Sequence, residues 1–327
     1  MQPRQQFFPL GRFLSEAADR LTAKFRQADI AIFHEFASPP YGGGNQFLLA
    51  LRRQLEELGW RTEVNAISKT TRACLYNSFN FDFARLQRCH RPGIRMVHRV
   101  DGPLSEYRGW DDGTDRRIWE INQELAGATI FQSNYSLEKH VDLGWQFTAP
   151  VVIPNAADPA IFHSRGRSPF SKDRKIRLIS SSWSDNPNKV AAFYQRLEKM
   201  LDWHRFDYTF VGRSQITFER IRMLDPLPSP ELAELLRQHD IYLTASRNDP
   251  CSNSVIEALS CGLPCLYLNS GGHPELVGEA GFAFIYEEEA LAQLDLLVEE
   301  YEERQGKIEV PSLEKVAERY LAVLGLA

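Results

Sequence analysis

Short apolar runs alternate with amphipathic helical patterns from about residue 29 onward, and the alternation restarts midway along the chain. Strands that alternate with helices are joined by crossover connections, so they lie parallel, with helices over both faces of the sheet. Residues 29–36 (DIAIFHEF) form the first such run, rich in Ile and Phe. After a turn-rich stretch ending in Gly42-Gly43-Gly44-Asn45, residues 46–58 carry apolar side chains at helical spacing (Phe47, Leu51, Leu55, Leu58), and Gly59 stops the helix. Further strands are expected at 60–65, 73–77, 94–100, 128–132 and 150–153. Residues 163–175 (HSRGRSPFSKDRK) have almost no aliphatic content and read as a linker. Strands then recur at 175–181, 206–211, 241–245, 264–268 and 281–285, with helices near 187–202, 230–238, 253–261 and 287–303 and a terminal helix at 312–326. The fold class is therefore α/β: two facing, doubly wound parallel-sheet (Rossmann-like) domains, residues 29–162 and 176–327. Ligands of such sheets bind beyond the carboxyl ends of the strands, which places the site in the cleft between the domains.

The chain has 327 residues, 43% of them hydrophobic and 25% charged, enough apolar material for two cores and incompatible with general disorder. Lys and Arg number 38 against 43 Asp and Glu, a net charge of -5 that argues against nucleic acid as a partner. No window approaches 18 uncharged apolar residues, and the N-terminus has charges and proline where a secretion signal needs an apolar core. The spacing of Cys74, Cys89, Cys251, Cys261 and Cys265 fits neither metal ribbons nor a disulfide framework. Free thiols in a reducing cytoplasm are expected. Residues 1–28 form an amphipathic extension: Phe7, Leu10, Leu14, Ala17, Leu21 and Phe25 recur at helical spacing among Arg4, Arg12, Arg20, Lys24 and Arg26. Such a helix either rests on the cytoplasmic face of an anionic membrane or docks on the first domain.

The most informative stretch is 242–281, YLTASRNDPCSNSVIEALSCGLPCLYLNSGGHPELVGEAG. A strand ends near Ser246, a polar loop spans 248–252, and a helix opens at Asn253 with Glu257 one turn inside. The unpaired N–H groups of such a helix start attract phosphate, and Asp249 and Glu257 bracket it. Simple capping by Ser252 or Asn253, with Glu257 complementing the dipole, is the competing local reading.

These residues resemble the retaining glycosyltransferases of family 4, which have the GT-B architecture. Their two glutamates separated by seven residues, followed by EA-x-x-x-G-x-P, correspond here to Asp249-x7-Glu257 and Ala258-Leu-Ser-Cys-Gly262-Leu-Pro264. Gly271-Gly-His-Pro-Glu275-Leu-Val is similar to the family's GG-x-PE-x-V, and Val152-Ile-Pro-Asn-Ala-Ala-Asp158 to its IPNGVD run. The resemblance implies that Glu257 contacts the nucleotide ribose and Asp249, one methylene shorter than the family's glutamate, the donor sugar. It implies that backbone amides near Asn253 and Ser254 hold the diphosphate, with Ser252 where the family has glycine. Lys189 is placed to reach a phosphate, and where the family has an arginine a few residues earlier this chain offers Ser182 and Trp183. Arg213, in Phe210-Val-Gly-Arg213, is the candidate replacement cation. Gly43 and Gly44 let backbone approach the donor. The family's strand-end histidine corresponds to either His98 or Asp101, alternation favouring Asp101, while Arg99 and Arg108 either bind an anion or sit on the surface. No Asp-x-Asp occurs, so neither metal nor cofactor is expected, and Lys189 and backbone amides must meet the leaving-group charge. The implied activity is retaining transfer from a nucleotide-diphospho-sugar to a hydroxyl on a glycan, glycolipid or other acceptor in glycan or glycoconjugate synthesis. The alternative is a catalytically silent GT-B-like sugar-nucleotide-binding subunit.

Overall fold

The structure, a computed structural model, describes residues 27–37, 42–183, 187–214 and 216–327. Nearly all of the extension expected at 1–28 lies outside them. The first sheet runs β2-β1-β3-β4-β5-β6, every pairing parallel. Its strands are β1 (Ile30–Phe33), β2 (Thr62–Val64), β3 (Ala73–Asn77), β4 (Arg95–Val100), β5 (Ala128–Phe131) and β6 (Pro150–Val152). All of β1 is buried because both faces are covered: Ile30 and Ile32 pack on one side, Ala31 and Phe33 on the other. Helices α1 (Gly43–Glu57), α2 (Phe83–Cys89), α3 (Leu104–Arg108), α4 (Thr114–Leu125) and α5 (Asn134–Asp142) connect these strands. The expected stripe of α1 faces the sheet through Phe47, Leu51 and Leu55.

The second sheet runs β12-β11-β10-β7-β8-β9, also wholly parallel. It comprises β7 (Ile176–Ser182), β8 (Phe206–Gly212), β9 (Arg222–Leu224), β10 (Ile241–Thr244), β11 (Cys265–Leu268) and β12 (Gly281–Phe284). On one face α6 (Ala191–Met200), α10 (Ala290–Glu299) and α11 (Tyr301–Gly306) close a core around Leu178, Tyr208, Phe210 and Leu243. On the other, α7 (Ser229–Arg237), α8 (Asn253–Ser260) and α9 (His273–Val277) cover Ile179, Val211, Tyr242 and Tyr267. All five cysteines are free, four of them buried. Among the described residues no helix is long and apolar enough to cross a membrane.

Two expectations need correction, and two features went unread. The helix expected at 187–202 is broken: a 3-10 turn, Pro187–Lys189, is separated from α6 by Val190 in the left-handed region at φ 52°. Strand β9 was not anticipated, because three residues at a sheet edge, two of them exposed, carry no apolar pattern. The linker is not loose. Phe170 stacks on Tyr301 with centroids 3.7 Å apart, and Arg174 donates to buried Asp240 at 2.7 and 2.8 Å, fastening it to the second domain. Finally, α12 (Leu313–Val323) does not pack with the second domain, to which residues 176–327 were assigned. Its Leu313, Val316, Ala317, Tyr320 and Leu321 share a core with α1, β1 and β3, because α1 presents an apolar stripe there. Full burial of side chains of this size stabilises by about 1.5–3 kcal/mol each, so the helix is part of the first domain's core.

Both sheets reverse their winding, the first between β1 and β3 and the second between β7 and β10. The crevice at each reversal faces the other, and one cavity is lined from both sides.

Candidate active site

The interdomain cavity has a volume of about 430 Å³, the scale of a small-molecule site. From the first domain come Gly43 and Gly44 at the start of α1, Asp101 after β4 and Gln132 after β5. From the second come Ser182 at the end of β7, Gly212 at the end of β8, and the 249–254 loop that runs into α8. Every contribution sits at a carboxyl end of a strand, as the topology requires.

Two glycines set the closeness of the walls. A Cβ on Gly43 would lie 2.6–2.9 Å from the side chain of Asn253, so the first turns of α1 and α8 touch across the cleft. Gly271 has φ +65°, and a Cβ there would come within 2.3 Å of the Asp249 carbonyl oxygen. Only glycine lets that turn support the loop carrying Asp249.

Charge concentrates at that loop. Lys189 Nζ donates to Asp249 Oδ2 at 2.9 Å, and both side chains are largely buried. Burial alone would raise the Asp249 pKa, but the charge and hydrogen bond of Lys189 outweigh it and hold the carboxyl below the usual range. Buried His273 stands behind the loop, its Nε2 3.4 Å from Ser246 Oγ. Glu257 behaves oppositely: desolvation in the cavity wall pushes its pKa up to about 8. At neutral pH it is chiefly a neutral carboxylic acid able to donate a hydrogen bond. No side chain caps α8, and Ser252 Oγ meets Ser254 Oγ at 3.0 Å instead. The first-turn amides therefore still seek an acceptor.

The structure separates His98 from Asp101. His98 is fully buried, stacks on Tyr76, places Nε2 2.9 Å from the Ser78 carbonyl, and does not line the cavity. Burial pushes its pKa down to about 3. Its assignment to the donor site is corrected: both faces of β4 are covered, so a strand residue cannot reach the cleft. Asp101, just past the strand, does reach it. Arg99 is neither a surface residue nor an anion ligand in the cavity. Fully buried, it donates to Asn77 Oδ1 at 2.6 Å, Asp101 Oδ1 at 3.0 Å and Asn155 Oδ1 at 2.9 Å. Asn155 continues to Asn253 at 3.2 Å, linking Asp101 to α8. Arg108 pairs with Asp112 at 2.8 Å. Arg213 is not among the cavity-lining residues; its guanidinium lies 4.8 Å from the centroid of Trp183, which is.

Sequence reasoning missed Gln46, Tyr107 and Gln132 in the lining, and the wall formed by Pro226, Leu227 and Leu232. Gln132 follows β5 as Asp101 follows β4, and that strand-end position was the available signal. Polar contacts also join the two rims. Glu275 accepts from the N–H groups of Asn134 and Tyr135 at 2.8 and 2.7 Å, capping α5 from the other domain. Asn248 Nδ2 donates to the Glu106 carbonyl at 3.1 Å, and Asn188 to that of Tyr107.

Residues 179–297 match the family described as glycosyl transferases group 1. The matched residues lie wholly within the second domain. The D-inositol 3-phosphate glycosyltransferase of Corynebacterium glutamicum (strain R) is 29% identical over 107 residues, 33% of this chain. The match spans about a fifth of that relative's length (22%). Solved structures share the whole architecture, which is GT-B. Sucrose-phosphate synthase from Thermosynechococcus elongatus has a TM-score of 0.70 at 14% identity, covering 92% of this chain and 100% of that one. Alr3699/HepE of Anabaena, in complex with UDP and glucose, gives 0.64 at 15%, covering 91% and 97%. The catalytic domain of starch synthase IV from Arabidopsis thaliana, bound to ADP and acarbose, gives 0.66 at 9%, covering 92% and 99%. Within the matched residues Asp249, Glu257 and Lys189 all line the cavity, together with Ser182, Ser252, Asn253 and Ser254.

Proposed function

We propose that the protein is a retaining glycosyltransferase that moves a sugar from a nucleotide-diphospho-sugar to an acceptor hydroxyl in the interdomain cleft. The carrying observation is the convergence of Lys189, Asp249, Glu257 and the uncapped start of α8 on one cavity, opposite Gly43 and Asp101. Diphosphate charge is met by the first-turn amides of α8 and by Lys189, which must turn part of its interaction from Asp249 toward the ligand. Glu257, kept chiefly neutral by burial, donates to or accepts from ribose hydroxyls. Asp249 and Asp101 flank the donor sugar and orient it for attack from the face the nucleotide leaves, with a donor phosphate oxygen taking the acceptor's proton. Catalysis is thus positional and electrostatic, and because fixed protein donors supply the positive charge we propose that it needs no metal. The UDP and ADP carried by structural neighbours support a nucleotide in this cleft.

The test is to incubate the chain with a panel of nucleotide-sugars and acceptor extracts and to measure nucleotide release, with and without EDTA. Release that Glu257→Ala abolishes and EDTA spares supports the proposal. The competing reading, a silent binding subunit, draws on the Lys189–Asp249 ion pair, in which each group neutralises the other. Nucleotide binding without release from any donor would establish it.

A further inference from the structure

A second cavity, about 550 Å³, lies on the second domain at the opposite ends of β7 and β8. Arg177 in its wall is five residues from Ser182 in the cleft, about 17 Å along an extended strand. The groove follows from strand alternation. Phe206, Tyr208 and Phe210 enter the core on one face, so Asp207 and Thr209 of β8 face the other, where α7 and α8 cover only the upper part around Ile179 and Val211.

The exposed part is basic in a region that otherwise is not. Residues 163–327 hold 19 Lys and Arg against 25 Asp and Glu. Yet Lys175, Arg177, Arg220 and Arg222 line the groove with one carboxylate, Asp207. Asp207 pairs with Lys175 at 3.1 Å, and Arg177 shares buried Asp240 with Arg174. Among the described residues Arg222 has no carboxylate partner, and the Arg220 guanidinium lies 4.6 Å over the ring of Trp203. The floor holds a buried polar pair, His239 Nε2 and Thr209 Oγ1, 3.0 Å apart. His239 Nδ1 faces the Leu235 carbonyl at 2.7 Å and so carries the ring proton, leaving Nε2 to accept from the Thr209 hydroxyl. Burial, with the charges of Arg177 and Arg222, holds the ring neutral. Such a concentration of cations above desolvated dipoles, beside an aromatic ring, is arranged to receive anionic oxygens on a ligand with a flat apolar side.

We propose that this groove binds an anionic saccharide, its phosphate or carboxylate on Arg222, Arg220 and Lys175 and a sugar ring against the stacked Arg220–Trp203 pair. It is a docking site remote from the cleft. The anion half stands on the groove alone, whereas the saccharide half rests on the proposed glycosyl transfer. The test is calorimetric titration of the full chain with glucose 6-phosphate, with an oligogalacturonate, and with neutral maltotriose. The phosphate and carboxylate probes distinguish the two sources of charge. At least one is expected to bind, at least tenfold more weakly to an Arg220→Glu/Arg222→Glu variant and more weakly at high salt. Both substitutions are at exposed positions, and the variant should keep wild-type thermal shifts with nucleotides, which separates the groove from the cleft. Three results would each overturn the proposal: no binding of either anionic probe at about 10 mM, anion binding that survives the charge reversal, or equal binding of maltotriose. None of them bears on nucleotide release.

Discussion

Gly43→Ala sets local preference against interdomain contact. Gly43 opens α1 without a positive φ, so alanine fits its backbone and by propensity favours the helix by up to about 1 kcal/mol. Its new methyl, however, would sit 2.6 Å from Asn253 Nδ2, 2.9 Å from Cγ and 2.8 Å from Cβ. The amide nitrogen can swing aside, but Cβ moves only with the start of α8. Restoring an ordinary contact of 3.4 Å requires the two helix starts to separate by about 0.6 Å. A 1 Å misplacement of reacting groups costs roughly 100-fold, so about half that shift should lower kcat/KM on the order of tenfold, or ~1.4 kcal/mol of transition-state stabilisation. Stability should stay within about 1 kcal/mol of wild type, because the clash lies between domains. The assay is nucleotide release under kcat/KM conditions, beside urea denaturation, for Gly43→Ala, Asn253→Gly and the double variant. Removing the Asn253 side chain removes the clash, so the second substitution should cost less in the double variant than alone. Wild-type turnover by Gly43→Ala, or additive effects in the cycle, would refute the reasoning.

Glu257 predicts an inverted pH dependence of stability. Its folded value of about 8 lies above the ordinary 4.5, so the folded state keeps a proton that the unfolded state releases. Wild-type stability should fall relative to Glu257→Gln as pH rises from about 4.5 to 8, by up to ~1.4 kcal/mol per unit, and level off above; denaturation at pH 5.5 and 8.5 checks this. Lys189→Met leaves Asp249 charged and largely buried, a loss of about 3 kcal/mol or more, whereas Lys189→Met/Asp249→Asn should recover at least ~1 kcal/mol of it. A double variant no more stable than the single would dismiss the pair as a coupled unit. Glu275→Ala removes the acceptor of two first-turn N–H groups of α5, leaving its Ser133 cap in place, and should cost about 1 kcal/mol and increase the radius of gyration in solution scattering. An unchanged scattering profile would show that this contact does not hold the domains together.

The sheets were legible because a buried parallel strand is an apolar run whatever it packs against, as IAIF in β1 shows. Allegiance was not legible. The stripe of α12 announces a buried face, but the same stripe would serve against either domain. Residues beyond strand ends were readable as site candidates, and Asp101, Asp249 and Glu257 all line the cavity. Within a strand the rule fails: alternation distinguishes two faces, and in β4 both are covered, so His98 and Arg99 vanish into the interior. The Arg99–Asn155–Asn253 chain joins residues 56 and 98 positions apart, a pairing no local pattern encodes.

The return of α12 makes the first domain discontinuous in sequence, since the polypeptide leaves it after Ala156, with Phe162 already packed in the second domain's core, and re-enters at Leu313. Two covalent spans therefore bridge the lobes, and two tethers define an axis where one would leave a swivel. An opening of the cleft would pivot about the line joining them, the rims travelling furthest and Asn155 and Asn253, hydrogen-bonded near the first tether, least. A fragment cut after residue 162 would expose the apolar face of α1, which makes the lobes inseparable as folding units although each has its own sheet.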